Sequence, residues 1–460
     1  MKKNIHFSYI ITLFFSLIVT FATAQNKISL LRYDDNFSFS KNDSLKKGLD
    51  HLKYISLGNR NYISFGGELR EQFQVYKNLN FGDVPTSFID ISPSQLWHRL
   101  LVHSNIELGN NFRFFIQINN TLRFLNDNPV APQIDENQLS LHQAFGEINL
   151  NYLDFRVGRQ ELLYGNNRLI TVREGTNTRQ TFDGIVIKRR LRNGGIDFFA
   201  ISPIASRQYI FDDESFKEGL IGIYGTQYFS DHKIGLDYFI VDFQSKLRKY
   251  NYQCGSENRQ TYGIRLFSNY KKVNFEAEGA YQTGKFNSLT INAYSVLADI
   301  NIMILPGKRG IIGLTAGAAS GDINNADNKL NTFNLLYAKP AYGLAVPIGA
   351  TNMISLYPYF KINPVKKLNI LAQIFFLARN SNQDGTYSPG MVQNRPSREI
   401  LFLTNEKTLG ELYDVETNYQ QTKNLSFFFD VSYFKAGSYP IATGRGKGIT
   451  YISFKSTFRF

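Results

Sequence analysis

Cysteine is all but missing: Cys254 is the only one in 460 residues, so no intrachain disulfide can form and metal clusters built on cysteine are excluded. Tryptophan is as scarce, with Trp97 alone. No Pro/Ser-rich linker or shift in composition divides the chain, so its length points to one large domain rather than several. Long apolar runs are also absent after the first 21 residues, and the mean hydropathy of −0.25 is that of a water-soluble protein. No Gly-x-Ser-x-Gly elbow occurs. His51, His98, His103, His142 and His232 stand in no nucleophile motif, and His103 and Ser104, as strand neighbours, face opposite ways. Catalysis is not expected, and neither a cofactor, a metal nor a nucleic-acid partner is called for.

At the start, Lys2 and Lys3 precede an apolar run over residues 9–21 that ends in Ala22-Thr23-Ala24. Basic, then apolar, then small residues is the layout of a removable secretory leader, and the run falls short of the roughly 20 residues a spanning helix needs. Residues 1–24 are expected to be cleaved, leaving a periplasmic segment over 25–60 and a barrel over 61–460. No cysteine stands at the cleavage point, so a lipid anchor is not indicated.

What the chain has in quantity is alternation. After residue 60 it reads as about eighteen amphipathic strands separated alternately by tight turns and long polar loops. Leu108-Gly109-Asn110-Asn111, Arg192-Asn193-Gly194-Gly195, Ser230-Asp231, Leu305-Pro306-Gly307-Lys308 and Asn363-Pro364-Val365-Lys366 are the tight turns. Over residues 62–76, Ile63, Phe65, Leu69, Phe73 and Val75 share one face, while Ser64, Glu68, Arg70, Gln72 and Gln74 share the other. Residues 97–108, 112–124, 273–282 and 425–431 repeat the pattern. One face suits lipid and the other water, which predicts an all-β fold: a transmembrane antiparallel β-barrel of about 18 strands with short periplasmic turns and long extracellular loops. Aromatic residues make up 15% of the chain, with 39 Phe and 27 Tyr to supply the interfacial girdles. Cys254 is expected in a loop over 245–258. In the last segment Ile452, Phe454, Phe458 and the terminal Phe460 share a face opposite Ser453, Lys455, Thr457 and Arg459. Such an ending resembles the signal read by the outer-membrane barrel-assembly machinery, so that machinery and outer-membrane lipids are expected partners.

Strand number sets bore. A barrel of roughly 16–18 strands leaves an aqueous channel, so a polar lumen is expected rather than a packed core. The formal net charge is +13, two less after loss of Lys2 and Lys3 with a leader that holds no acidic residue. Arg70, Arg99, Arg113, Arg123, Arg259, Arg265 and Arg379 fall on the polar faces of their strands, where a low-dielectric wall focuses their field inward. Arg/Lys rings select anions in pores. Some of these arginines are expected to pair with Glu68, Glu107, Glu276, Glu278 or Asp430 and stiffen the wall.

Several stretches, in order along the mature chain, resemble the alginate export family of large outer-membrane barrels that conduct acidic polysaccharide. They include Leu30-Leu31-Arg32-Tyr33-Asp34-Asp35, Leu52-Lys53-Tyr54-Ile55 and Phe65-Gly66-Gly67-Glu68-Leu69-Arg70. Gly158-Arg159-Gln160-Glu161-Leu162-Leu163-Tyr164-Gly165-Asn166-Asn167-Arg168-Leu169, followed by Thr181-Phe182-Asp183-Gly184, is the more specific match. Asn331-Thr332-Phe333-Asn334-Leu335-Leu336-Tyr337 and Asp384-Gly385-Thr386-Tyr387-Ser388-Pro389 continue it. The resemblance implies an eighteen-stranded barrel with an electropositive conduit, lined or gated by Arg70, Arg159, Arg168, Asp183 and Arg379. Arg159 shares parity with Phe155 and Val157, so it reaches the lumen only if a bulge re-aims the strand. Ala378 stands where the family usually has an aromatic, and Gly410-Glu411-Leu412-Tyr413-Asp414 displaces one acidic position.

The expected function is an outer-membrane, anion-selective channel that guides anionic polysaccharide or small anions passively past arginines, whose planar forks suit carboxylates. Periplasmic export partners are compatible with it. A general porin for small organic anions is the alternative, and an outer-membrane enzyme or an adhesin barrel are readings of another class. The adhesin reading would be favoured if loops 320–350 and 380–407 plugged the lumen permanently; their Asn, Gly and Ser content suits mobile surface loops instead.

Overall fold

The computed structural model describes residues 28–38, 48–83, 94–125, 135–215, 218–229, 231, 233–250, 253–270, 272–306, 309–343, 345, 348–395 and 404–460. The leader expected at 1–24, His232 and the turn residues Ser230, Gly307 and Lys308 lie outside them.

Eighteen antiparallel strands close into one barrel. The first six are β1 (Tyr62–Lys77), β2 (Ser94–Leu108), β3 (Phe112–Phe124), β4 (Asn137–Asn149), β5 (Leu153–Gln160) and β6 (Phe182–Leu191). Next come β7 (Gly194–Ala205), β8 (Glu218–Phe229), β9 (Ile234–Tyr250), β10 (Gln253–Ser268), β11 (Val273–Phe286) and β12 (Leu289–Leu305). β13 (Gly310–Ala319), β14 (Met353–Val365), β15 (Leu368–Arg379), β16 (Thr408–Gln420), β17 (Leu425–Ala436) and β18 (Ile449–Arg459) complete the wall. β1 pairs with β18 from Glu68↔Arg459 to Lys77↔Thr450, which removes both free edges. No helix among the described residues is long and apolar enough to cross a membrane; strands do it.

Period-two patterning sets the two faces. On β1, Ser64, Glu68, Arg70, Gln72 and Gln74 are buried inward, while Phe73 stays 42% exposed on the outer face. On β18, Ile452 and Phe454 are exposed outward, and Ser453 and Thr457 are buried. Below the C-terminus the two-residue strand Ile55–Ser56 pairs with Ile63 and Tyr62 and continues the seam. The matched stretches around Gly158 and Gly184 turn out to be cross-strand partners, in the register Gly158↔Gly184, Arg159↔Asp183 and Gln160↔Phe182. Both glycines adopt positive φ, +129° and +153°, which residues with a Cβ rarely tolerate.

Two features depart from the alternation of turns and loops. β9–β10 and β11–β12 are joined tightly on the long-loop side, so Cys254 sits at the start of β10 rather than in a loop, paired with Lys249 across a hairpin that carries a register shift.

The larger departure is inside. Much of what is described of the loops after β5 (residues 161–181), β13 (320–343, 345 and 348–352) and β15 (380–395 and 404–407) folds into the barrel instead of standing on the surface. Inward positions of the wall explain this: Phe182, Phe199, Leu220, Val241, Phe243, Phe286 and Ile291 are apolar, and they form one buried cluster with Leu162, Ile170, Phe333, Leu335, Leu336, Tyr337, Tyr387 and Met391 of those loops. Burying each such side chain contributes about 1.5–3 kcal/mol, more than a surface position for the loop would give. Tyr337 N donates to Leu169 O at 2.8 Å and Ile170 bridges Tyr337, so two loops brace each other. A second cluster joins Phe81, Tyr342, Ile348 and Tyr439 to Phe375, Leu377, Leu412 and Phe434. The lumen is thus packed over much of its long-loop half, not polar throughout.

Candidate functional site: a constricted lumen

Loop 161–181 is held against β1, β2 and β18 by charge. Arg70 donates through Nη1 to Glu174 O at 3.0 Å and through Nη2 to Thr176 O at 2.8 Å. Arg99 bridges two carboxylates, from Nε to Glu68 Oε1 at 2.9 Å and from Nη2 to Glu174 Oε1 at 2.6 Å. Arg459 reaches Glu68 from β18 at 2.6 Å. Within the loop, Arg179 faces Glu161 at 2.8 Å, and Glu161 also meets His142 at 2.8 Å. Burial raises the Glu174 carboxyl, but Arg99, Arg179 and Arg70 outweigh it and hold the group below its ordinary value. Buried ion pairs of this kind make a position specific, because breaking one strands a charge in low dielectric.

Arg379, at the end of β15, organises the next loop in the same way. Its donors meet the carbonyls of Asp384 at 2.8 Å, Thr404 at 2.9 Å and Glu406, and its guanidinium lies 3.7 Å over the Tyr439 ring. Arg259 meets Glu257, the Gln282 amide oxygen at 2.8 Å and Thr332 O at 3.1 Å, which ties loop 320–352 to the wall.

Between loops 161–181 and 320–352 and the wall of β11–β14 lies a mid-height cavity of about 230 Å³. Small-molecule clefts commonly run to roughly 300–1,000 Å³, so the space left here between loops and wall is small. Arg168 and Lys339 approach it from the loops; Glu276, Glu278 and Asp299 face it from β11 and β12. Glu276 is matched by Arg265 at 2.9 Å, and Arg265 also holds Asp237 at 2.7 Å. Neither Arg168 nor Lys339 has a carboxylate within 4.0 Å among the described residues. Burial and then the Arg168 charge push the Lys339 ammonium below its ordinary value.

Under the loops, toward the short-turn rim, a second cavity of about 290 Å³ is lined by Asp34 and Asp35 of the N-terminal segment and by Arg113, Arg156, Lys188 and Arg190 of β3, β5 and β6. That segment enters the barrel. Arg32 donates to Gly67 O and Phe460 O, both at 2.9 Å, and the Tyr33 hydroxyl donates to Glu161 O at 2.7 Å with its ring edge-on to Phe115 and Phe145.

The expected lining residues are therefore dispersed. Arg70 and Arg99 clamp one loop and Arg379 another; Arg265 is paired in the wall; Arg113 belongs to the lower cavity, where it meets Glu147 at 2.8 Å and donates to Tyr33 O at 2.8 Å. Arg123 keeps the inward parity of β3 opposite Trp97. Arg159 and Asp183 form a fork at 2.8 and 3.1 Å, but with the parity of Val157 and Ile185, which are exposed on the outer face; no register shift intervenes between β5 and β6. Of the nine, Arg168 alone lines the mid-height cavity. Arg156 was legible from the same parity that places Arg159 outside. Glu174 and Lys339 were not, because loops carry no periodicity.

The alginate export family matches residues 61–447. No curated protein matches the chain in sequence. Among solved structures, three from Pseudomonas aeruginosa share the fold at 10% identity. OccK2 (OpdF) in complex with glucuronate has a TM-score of 0.59 and covers 86% of this chain and 98% of its own. OpdK with vanillate has a TM-score of 0.60 with the same coverages. OccD3 (OpdP) has a TM-score of 0.60 and covers 86% and 91%. With nearly the whole wall matched and the strands closed into one barrel, the chain belongs to the alginate export family, as a passive channel of the Gram-negative outer membrane.

Proposed function

We propose that the channel is anion-selective and passes carboxylate-bearing, hydroxyl-rich solutes, from acidic polysaccharide to small sugar acids. One observation carries this: Arg168 and Lys339 both line the mid-height cavity, neither with a carboxylate within 4.0 Å among the described residues, and on Lys339 the Arg168 charge weighs more than either Glu416 or Glu276, so a passing anion relieves their repulsion. Across the gap, Glu276, Glu278 and Asp299 offer acceptors to hydroxyl groups. A sugar acid presents both chemistries, a carboxylate for the cations and hydroxyls for the acids. The family's export of an acidic polysaccharide and the glucuronate held by one structural neighbour support the same class. Guidance is electrostatic and passive, since weak sites permit exit as well as entry.

The reversal potential of the refolded protein in a planar bilayer under a salt gradient tests this, with a soluble polyuronate then added to one side. Anion selectivity with block by the polymer is the expected result, and selectivity without block assigns a small-anion porin instead. In R168Q/K339Q the anion preference should fall; an unchanged reversal potential in that variant removes both residues from the mechanism.

A further inference from the structure

The lower cavity is built as a ligand site that the chain itself half fills. Its wall carries four cations, Arg113, Arg156, Lys188 and Arg190, and three carboxylates, Glu107, Glu147 and Asp154. Lys188 also meets Asp197 at 3.8 Å, so the wall is near charge balance, and Asp34 and Asp35 of the N-terminal segment tip it acidic. Asp35 is engaged by Arg32 at 2.9 Å. Asp34 is not: among the described residues its carboxylate has no ion pair within 4.0 Å, although Lys188, Arg156 and Arg113 are its strongest attractions. Two donors in the wall have no acceptor, Arg113 Nε and Arg156 Nη1, both buried. The Arg156 guanidinium is otherwise fixed, held by Glu147 at 2.6 Å and lying 4.1 Å over the Tyr33 ring. A buried donor without an acceptor is destabilising, and Asp34 feels the charge of the site without an ion pair to it among the described residues.

We propose that Arg113, Arg156 and Lys188 form a carboxylate-binding site at the periplasmic mouth, for uronates and related organic acids, and that Asp34 is a tethered competitor which such a ligand displaces. The proposal rests on the anion-conducting reading above. The ligand's carboxylate accepts from the orphaned Arg113 Nε and Arg156 Nη1, and Lys188 supplies the adjacent charge. The segment that leaves is also the one that holds loop 161–181 from below, through Tyr33 to Glu161 O and Arg179 to Leu30 O at 3.1 Å. Ligand arrival at the mouth thereby loosens the loop at the mid-height cavity.

The test is calorimetric titration of the full-length protein in detergent with sodium glucuronate at low ionic strength. D34N keeps the shape of the segment and removes its charge, and should bind glucuronate several-fold more tightly than the parent. D34N/K188Q should lose that gain. Identical titrations for parent and D34N overturn the proposal, as does a gain that survives in D34N/K188Q. The bilayer reversal potential separates the two readings. An anion-selective channel with an indifferent D34N refutes the mouth site alone, whereas tighter D34N binding in a channel without anion selectivity supports the site and refutes the proposed selectivity.

Discussion

The replacement Glu174→Gln isolates the clamp that holds loop 161–181 inside the barrel. Glutamine keeps the shape and one acceptor but gives up the charge facing Arg99 at 2.6 Å and Arg179 at 3.2 Å. Arg99 keeps Glu68 and Arg179 keeps Glu161, while Arg70 loses its carboxylate at 3.9 Å and keeps the carbonyls of Glu174 and Thr176. Hydrogen bonds to charged groups contribute about 1.5–3 kcal/mol, and the 30% exposure of the Glu174 side chain screens part of that. A loss of about 1.5 kcal/mol in docking free energy follows, which is about tenfold in the open-to-docked ratio. Native-state hydrogen exchange reads this locally, at Thr176 N and Gln180 N, which donate to Arg173 O and Val172 O within the loop. Both amides should exchange about tenfold faster in E174Q, with β1 and β2 amides unaffected. The pH dependence supplies a second arm. Because the folded-state pKa of Glu174 lies below its ordinary value, its contribution is complete above the ordinary carboxylate pKa and is lost as pH falls through the folded value. After correction for intrinsic rates, loop exchange in the parent should accelerate over that acidic window, and E174Q should lack this component. Unchanged exchange at Thr176 and Gln180, acceleration shared equally by the wall, or an identical acid response in both proteins would refute the clamp.

The apolar half of the lumen gives a complementary expectation. Phe333→Ala removes a side chain that is 2% exposed in the larger cluster and should cost loop 320–352 about 3–5 kcal/mol of packing; the checks are faster proteolysis within that loop and larger single-channel conductance, with the barrel's thermal transition retained. Gly158→Ala should prevent assembly of the closed barrel, because its Cβ would stand 2.2 Å from Ala144 O at a φ of +129°. Heat-modifiable migration on gels after refolding reports the folded barrel, and a normal folded band in that variant would contradict the backbone argument.

Much of the wall was legible because a strand reports its two faces at every second residue. Ser64, Glu68, Arg70, Gln72 and Gln74 could be assigned to the lumen from spacing alone, and the last strand's Ile452 and Phe454 to lipid, since no distant contact is needed to tell alternating sides apart. Parity also carried the outward course of Arg159, and would have carried the inward course of Arg156. It failed where apolar residues stood on both faces. On β9, Tyr238 and Ile240 face out while Val241 and Phe243 face in; the inward ones must be covered, and the cluster that covers them draws on Phe333, Leu335 and Leu336, far along the chain.

By itself, then, the amino-acid order determined an eighteen-stranded wall, its inner and outer faces, the outer-membrane setting and the family. Only the tertiary structure decided what occupies the bore. An arginine's role depends on the acceptor that reaches it, and those acceptors come from loops without periodicity: Glu174 for Arg99, the carbonyls of loop 380–407 for Arg379, Tyr33 O for Arg113. Spacing places a charge on a face; closure of the barrel and burial of the loops determine whether that charge meets a solute or holds the protein together.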